Sequence, residues 1–268
     1  MLGAGAPGRA GSRASRAGLA ALGALLALGV WSLGSLYLGE TRLPLPTTVI
    51  ERFSATITSS PEIRFQGGGS GGFLPHVWAT TWHFLYGTLS GIAIALLALL
   101  GAARFPAFKA GLDPFITILR TIPPLAVAPF LLLWFGTAAS GQAMLVAFYV
   151  FVMLYPPAIA AIERIEPALV DFASTLGASR GTIVREIMLP AVVPAIVGPL
   201  HVAVSWSWGL VVVGEILGAR QGIGKILAAL VPITATDLTM VAILWILILA
   251  VLSEGLLAVA LKRLTRWA

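Results

Sequence analysis

Six long apolar runs, at about residues 19–38, 76–103, 114–136, 141–162, 191–217 and 238–261, alternate with stretches where polar and charged residues collect. A helix needs roughly 20 apolar residues to cross the hydrocarbon core, and every run approaches or exceeds that length. The pattern predicts an all-α membrane protein with six transmembrane helices. The third run contains Arg120, Pro123, Pro124 and Pro129, so it should be bent or locally unwound; Pro156 and Pro157 predict a kink in the fourth. Residues 39–75 turn polar and carry Thr41, Pro44, Pro46, Glu40, Glu51 and Glu62, which reads as a long surface segment with one short helix near Thr47–Ser59. It ends in GGGSGG at Gly67–Gly72, read as a flexible spacer. No strand precedes these glycines and no Gly-Lys-Ser/Thr follows them, so they do not read as a phosphate loop.

The most informative polar stretch is Pro167–Pro190, PALVDFASTLGASRGTIVREIMLP, between the fourth and fifth runs. Pro167 stands at a helix-opening position behind Glu166 in cap position, and Leu169, Phe172, Ala173 and Leu176 follow at i, i+3, i+4 and i+7. Gly177 ends that amphipathic helix. A second short helix should start at Ser179 as N-cap, carry Ile183 and Ile187 on one face, and stop at Pro190. Two short helices with a tight bend should therefore lie outside the membrane, with an apolar stripe of the kind that faces another protein.

Composition supports the membrane assignment: 58% of residues are hydrophobic and 10% charged, against about 25% charged in soluble domains. The chain has no cysteine, which excludes disulfides and thiol chemistry, and its three histidines, His76, His83 and His201, are too scattered to suggest a metal site. A net charge of +6 would suggest nucleic acid in a soluble protein, but here the placement of the cations reports topology instead. With the N-terminus inside, the inner segments hold Arg9, Arg13, Arg16, Arg104, Lys109, Arg164, Arg180, Arg185, Lys262, Arg263 and Arg266. The outer ones hold only Arg42, Arg52, Arg64, Arg220 and Lys225, and Arg120 lies within the third run. The excess predicts N-in and C-in, with Pro167–Pro190 cytoplasmic. The chain divides into a basic cytoplasmic tail at 1–18, a first transmembrane helix at 19–38, an outer (periplasmic) loop at 39–75, a five-helix core at 76–261 that contains the 163–190 loop, and a cytoplasmic tail at 262–268. A cleaved signal peptide competes for the N-terminus, but run 19–38 is longer than a typical signal core and lacks a clean small-x-small site.

Asp171, Phe172 and Ala173, three residues, Gly177, nine residues, then Ile187, one residue, Leu189 and Pro190 resemble the cytoplasmic loop of the permease subunits of bacterial ATP-binding-cassette importers. That loop reads Glu-Ala-Ala, Gly and Ile-x-Leu-Pro at the same spacings; here Asp replaces Glu and the bulkier Phe replaces Ala. The segments LPLP (43–46), LDPFITILRTIPPLAVAPFLLLWFG (112–136), GEILGARQGIGKIL (214–227) and the final Arg266-Trp267 are similar to the subgroup that imports nitrate, taurine and alkanesulfonates, and the Gly67–Gly72 spacer looks like an insertion. The resemblance implies the type I importer permease architecture in the bacterial inner membrane, a small solute as cargo, such as the anions nitrate and sulfonate or taurine, two permease copies as a homodimer, two ATPase subunits, and a periplasmic substrate-binding protein. It also implies that Leu169, Asp171, Phe172, Ala173, Leu176, Gly177, Ile187, Leu189 and Pro190 couple to the ATPase. ATP and magnesium would be bound by that partner, and this chain would carry no cofactor and no catalytic residue.

Charged residues in apolar runs are costly in lipid and are the candidates for the solute path. Arg120, with Thr121 and Pro123 beside it, could attract an anionic solute or gate its passage; the alternative is an ion pair or a side chain snorkelling to the surface. Glu215 could line the path or fix a helix end through a partner. Glu254 reads as structural, and Trp78, Trp82, Trp206, Trp208 and Trp245 as packing or interfacial anchors. GARQGIGKI at 218–226 fails as a nucleotide loop, because Ala219 and Ile226 stand where Gly and Ser/Thr are required. No hydrolase motif is present. An ion-coupled transporter would show inverted repeats and clustered intramembrane carboxylates, neither of which appears; a permease for an osmoprotectant or a vitamin precursor remains open.

Overall fold

The computed structural model describes residues 9–265; residues 1–8 and 266–268, and with them the Arg266-Trp267 pair, lie outside the described residues. Its helices are α1 (Arg9–Leu38), α2 (Pro46–Thr56), α3 (Pro61–Phe65), α4 (Leu74–Arg104), α5 (Pro106–Leu119), α6 (Pro124–Phe135), α7 (Ala139–Glu163), α8 (Pro167–Thr175), α9 (Arg180–Ile183), α10 (Leu189–Ile216), α11 (Ile223–Leu230) and α12 (Thr236–Leu264). Among the described residues no strand occurs. That follows from the solvent: in lipid each backbone N–H and C=O must find its partner inside the protein, which a helix achieves within one segment.

Five stretches are long and apolar enough to span: Gly18–Leu38, α4, α7, Arg180–Ile216 and Thr236–Arg263. The sixth expected span is two helices, α5 and α6, which meet at 112°. The bend was expected but not its sharpness, and the helical region starts earlier than 114, at Pro106. Pro123 and Pro124 are the cause. A proline pushes the residue before it out of the α region, and Pro123 itself sits at φ −57°, ψ 126°, so α6 must restart at Pro124.

α7 is the hub and packs most extensively against α4 and α10. Close approach of α4 depends on Gly87 and Gly91: a Cβ at Gly91 would lie 2.6 Å from Val150 Cβ, and one at Gly87 would overlap Val146. Phe84 of α4 stacks on Trp208 of α10 with ring centroids 4.1 Å apart, and Trp208 Nε1 donates to Ser253 Oγ of α12 at 2.9 Å. α1 attaches by its last turns, where Trp31 Nε1 donates to Pro44 O and Ser35 Oγ to Leu43 O.

At the end remote from α8, the segment 39–75 folds into a cap. Val49, Ile63 and Phe73 join Ile223, Ile226, Leu230, Leu238 and Val241 in one buried cluster. Arg52 clips α2 to α3 and α12, at 2.7 Å to both Glu62 and Asp237. The glycine run is not a flexible spacer, which corrects the expectation. Gly68 O accepts from His76 Nε2 at 2.9 Å, Gly67 O accepts from Lys225 Nζ at 3.1 Å, and a Cβ on Gly68 would lie 2.9 Å from Ile226 Cδ1. Gly67, Gly69 and Gly72 have φ of +75°, +83° and +58°, so glycine is used there for tight turns under packing rather than for freedom.

Candidate functional site

The Pro167–Pro190 stretch forms a helical hairpin at one end of the molecule. α8 ends in a left-handed turn: Gly177 lies at φ +83°, Ala178 N–H bonds Ala173 O at 3.0 Å, and Gly177 N–H bonds Ser174 O at 3.0 Å. This paired arrangement satisfies carbonyls that a helix end leaves open, and the positive φ is what glycine supplies. α8 buries none of its residues. Leu169, Phe172 and Leu176 are 49%, 62% and 73% exposed, on the face predicted from their spacing. Glu166 occupies the cap position, but its side chain makes no capping bond, whereas Ser179 caps α9 by accepting from Thr182 N–H.

The second helix does not stop at Pro190. It passes from α9 through a single π turn, Val184–Met188, directly into α10, which makes Arg180–Ile216 one continuous stretch. The expected stop relied on proline clashing with the carbonyl four residues back. A π turn widens the ladder, with Leu189 N–H bonding Val184 O five residues back, and so accommodates a proline that then opens α10 as its second residue. Ile187, Leu189 and Pro190 therefore sit on a rigid stem, with Ile183 buried beneath.

Among the path candidates, Arg120, Thr121 and Pro123 lie together at the elbow between α5 and α6, with Thr121 and Pro123 exposed. Arg120 forms no ion pair among the described residues. Glu215 is placed differently. It is 1% exposed, and its carboxylate accepts from His83 Nδ1 at 2.8 Å, Thr80 Oγ1 at 3.0 Å and Gly224 N–H at 2.8 Å. Thr80 Oγ1 accepts in turn from Ile223 N–H at 2.8 Å, and His76 Nδ1 from Gly222 N–H at 3.1 Å. That second bond makes His76 the Nε2–H tautomer, since Nε2 then donates to Gly68 O. Glu215 thus ties α10 to α4 and to the start of α11, with both oxygens hydrogen-bonded. Gly222, at φ +133°, touches the carboxylate so closely that any Cβ would overlap it. Glu254 is likewise paired, with His201 Nδ1 at 2.7 Å and Ser205 Oγ at 2.6 Å.

Residues 74–266 match the family model described as binding-protein-dependent transport system inner membrane component. The chain belongs to this family. The permease is 29% identical over 246 residues to the taurine transport system permease protein TauC of Escherichia coli (strain K12), covering 88% of this chain and 84% of that protein. It is 28% identical over 246 residues to the nitrate import permease protein NrtB of Synechococcus elongatus, covering 90% and 84% respectively. Its fold is similar to a chain of the inward-facing MetNI methionine ABC transporter, with a TM-score of 0.54 at 20% identity, covering 77% of this chain and 98% of that one. The permease is a multi-pass inner-membrane transport subunit with the type I importer fold.

Sequence reasoning missed how the permease braces the foot of its α8–α9 hairpin. Lys109 of α5 bridges Asp113 at 2.6 Å and Glu163 at 2.7 Å, and Tyr155 Oη donates to Asp113 Oδ1 at 2.7 Å. Glu163 is the last residue of α7 before the hairpin, so this cluster ties the bent α5–α6 pair to the hairpin's root. The signal was a Lys–Asp pair at i, i+4 on an otherwise apolar stretch, which reads as an ordinary surface pair until the fold brings Glu163 to it.

Proposed function

We propose that this permease works as one of two copies in an ATP-binding-cassette importer, with α8 and the Gly177 bend seated in a groove of each of two ATPase subunits. What carries the reading is the apolar triplet Leu169, Phe172 and Leu176, exposed on a helix that buries none of its residues. Covering each such side chain is worth about 1.5–3 kcal/mol, enough to hold a coupling contact through an ATPase cycle. ATP and magnesium are then bound and used by the ATPase, the N- and C-termini lie in the cytoplasm, and a periplasmic substrate-binding protein delivers solute to the opposite end. The cargo is a small anion of the nitrate, sulfonate or taurine class, consistent with the names of the relatives and with an Arg120 at the α5–α6 elbow that pairs with no acid among the described residues.

The test has two arms. The ATPase subunit should co-purify with the wild-type chain and be lost on Phe172→Asp or Gly177→Asp. Proteoliposomes holding the complex and its binding protein should accumulate labelled taurine, ethanesulfonate or nitrate only when ATP is present. Uptake that survives ATP depletion and follows a proton or sodium gradient would sink the proposal.

A further inference from the structure

A cavity of about 480 Å³ opens at the end of the molecule opposite the hairpin, bordered by Ala79, His83, Thr137, Ala139, Arg220 and Gln221. Two independent features of it favour negative charge. The first is the start of α7, a 25-residue helix whose cap residue Ala138 offers no side-chain acceptor. Its first ladder bond runs from Gln142 N–H to Ala138 O, so the Ala139 and Ser140 N–H groups have no helical partner and the positive end of the helix dipole faces the opening. The second is Arg220, exposed and in no ion pair among the described residues. Its loop is held in place, because Lys225 Nζ donates to Arg220 O at 2.8 Å and the Cβ position of Gly218, at φ +142°, is 3.1 Å from Thr137 Cγ2.

A nearly buried polar group also borders the cavity: His83, only 7% exposed, has Nδ1 committed to Glu215 while Nε2 has no hydrogen-bond partner among the described residues. Among the described residues no carboxylate borders the cavity; Glu215 is sealed behind His83 with both oxygens in use. The volume falls within the roughly 300–1,000 Å³ of small-molecule sites.

We propose that this cavity is an oxyanion subsite at the outer mouth of the permease, taking the sulfonate or nitrate group of the solute as it arrives from the binding protein. Arg220 supplies charge and paired donors, and the α7 N-terminus supplies backbone N–H groups. Calling the cavity the outer mouth, and its ligand a transported solute, rests on the anion-importer reading above.

The absence of cysteine makes a direct test available. Gln221→Cys in the full-length chain, reconstituted in nanodiscs, gives one thiol at the cavity's edge. Sulfonatoethyl methanethiosulfonate, itself an alkanesulfonate, should modify it about tenfold faster than the cationic trimethylammonioethyl reagent, after each is scaled to its rate with a free thiol. Millimolar ethanesulfonate or nitrate should slow the reaction, and choline should not. Adding Arg220→Gln should abolish the preference while leaving the melting temperature unchanged. Equal scaled rates, or a preference that ignores both Arg220→Gln and ethanesulfonate, would overturn the subsite. The two proposals fail separately: ATP-driven anion uptake without protection of the introduced thiol removes the subsite alone, and protection without anion uptake removes the cargo assignment alone.

Discussion

Removing the Glu215 carboxylate should unlock the end of the helix bundle opposite the α8–α9 hairpin. In Glu215→Ala, three donors lose their acceptor at once: His83 Nδ1, Thr80 Oγ1 and the Gly224 N–H. Each of the three stranded buried donors costs about 1–3 kcal/mol, but water entering the space recovers part of that, leaving a loss of about 3–5 kcal/mol. Glu215→Gln keeps the volume and one carbonyl oxygen. His83 can then switch tautomer and accept from the new amide, so each of the three contacts keeps a partner and the loss shrinks to about 1–2 kcal/mol. Glu51, exposed on α2, supplies the control, and Glu51→Gln should change nothing. The eight tryptophans report unfolding in detergent by fluorescence. A change of 1 kcal/mol moves the melting temperature of a protein this size by about 2–4 °C, so Glu215→Ala should melt about 6–20 °C below wild type, with Glu215→Gln between it and the control. If Glu215→Ala melts with wild type, or if Glu215→Gln changes solute selectivity while stability stays put, the carboxylate is a path residue and the lock is wrong.

Gly87→Ala forces a methyl into Val146, and Gly91→Ala places one 2.6 Å from Val150 Cβ, so each should destabilise by about 1–3 kcal/mol, whereas Gly209→Ala, with open space around it, should be silent in the same melting assay. In the cap, hydrogen bonding from Arg52 lowers the Glu62 carboxyl from the ordinary 4.5 to about 2. A depressed carboxyl stabilises the folded state above its unfolded pKa and ceases to do so as pH falls through its folded value. Limited proteolysis of residues 57–72 should therefore stay slow down to about pH 2–3 in the wild type, and Arg52→Gln should move the onset of cleavage up toward pH 4.5. Lys109→Gln, in contrast, removes partly exposed pairs worth only about 0–1 kcal/mol each and should leave melting unchanged. It should raise the ATP hydrolysed per solute imported, and an unchanged ratio would remove Lys109 from the coupling chain.

How far the sequence could be read depended on the range of the interactions involved. The spans were legible because lipid imposes one length and one composition on every crossing segment. The exposed face of α8 and the bend at Gly177 were legible because helical period and a left-handed glycine are local properties. Pro190 misled because its local meaning, a helix stop, was overridden by a π turn that only the register of the preceding residues creates. The glycine run misled for the same reason at longer range: GGGSGG looks flexible alone, but His76 and Lys225, one of them 158 residues away from its partner Gly67, tie it down. Glu215 and Lys109 each carried a visible charge in an apolar setting, yet the partners that fix their roles lie on other helices.

The two ends of the molecule are built for different mechanical tasks. The α8–α9 hairpin joins α7 through the short turn at residues 164–166 and runs into α10 through the π turn, so force applied to it reaches both helices over a few residues. α7 and α10 are packed on each other and on α4, and the Glu215 lock fastens α10 to α4 and α11 at the far end. These contacts favour motion of α4, α7, α10 and α11 as one body. The α5–α6 pair is the exception. Its foot is tied to the hairpin's root through Lys109 and Glu163, but its elbow at Arg120–Pro123 has no regular helical ladder across two consecutive prolines. Rotation of the rigid body against the braced foot must be absorbed where the backbone is least constrained, which is at that elbow. Arg120 sits on it with no ion-pair partner among the described residues, so the same motion that bends the chain also repositions that charge.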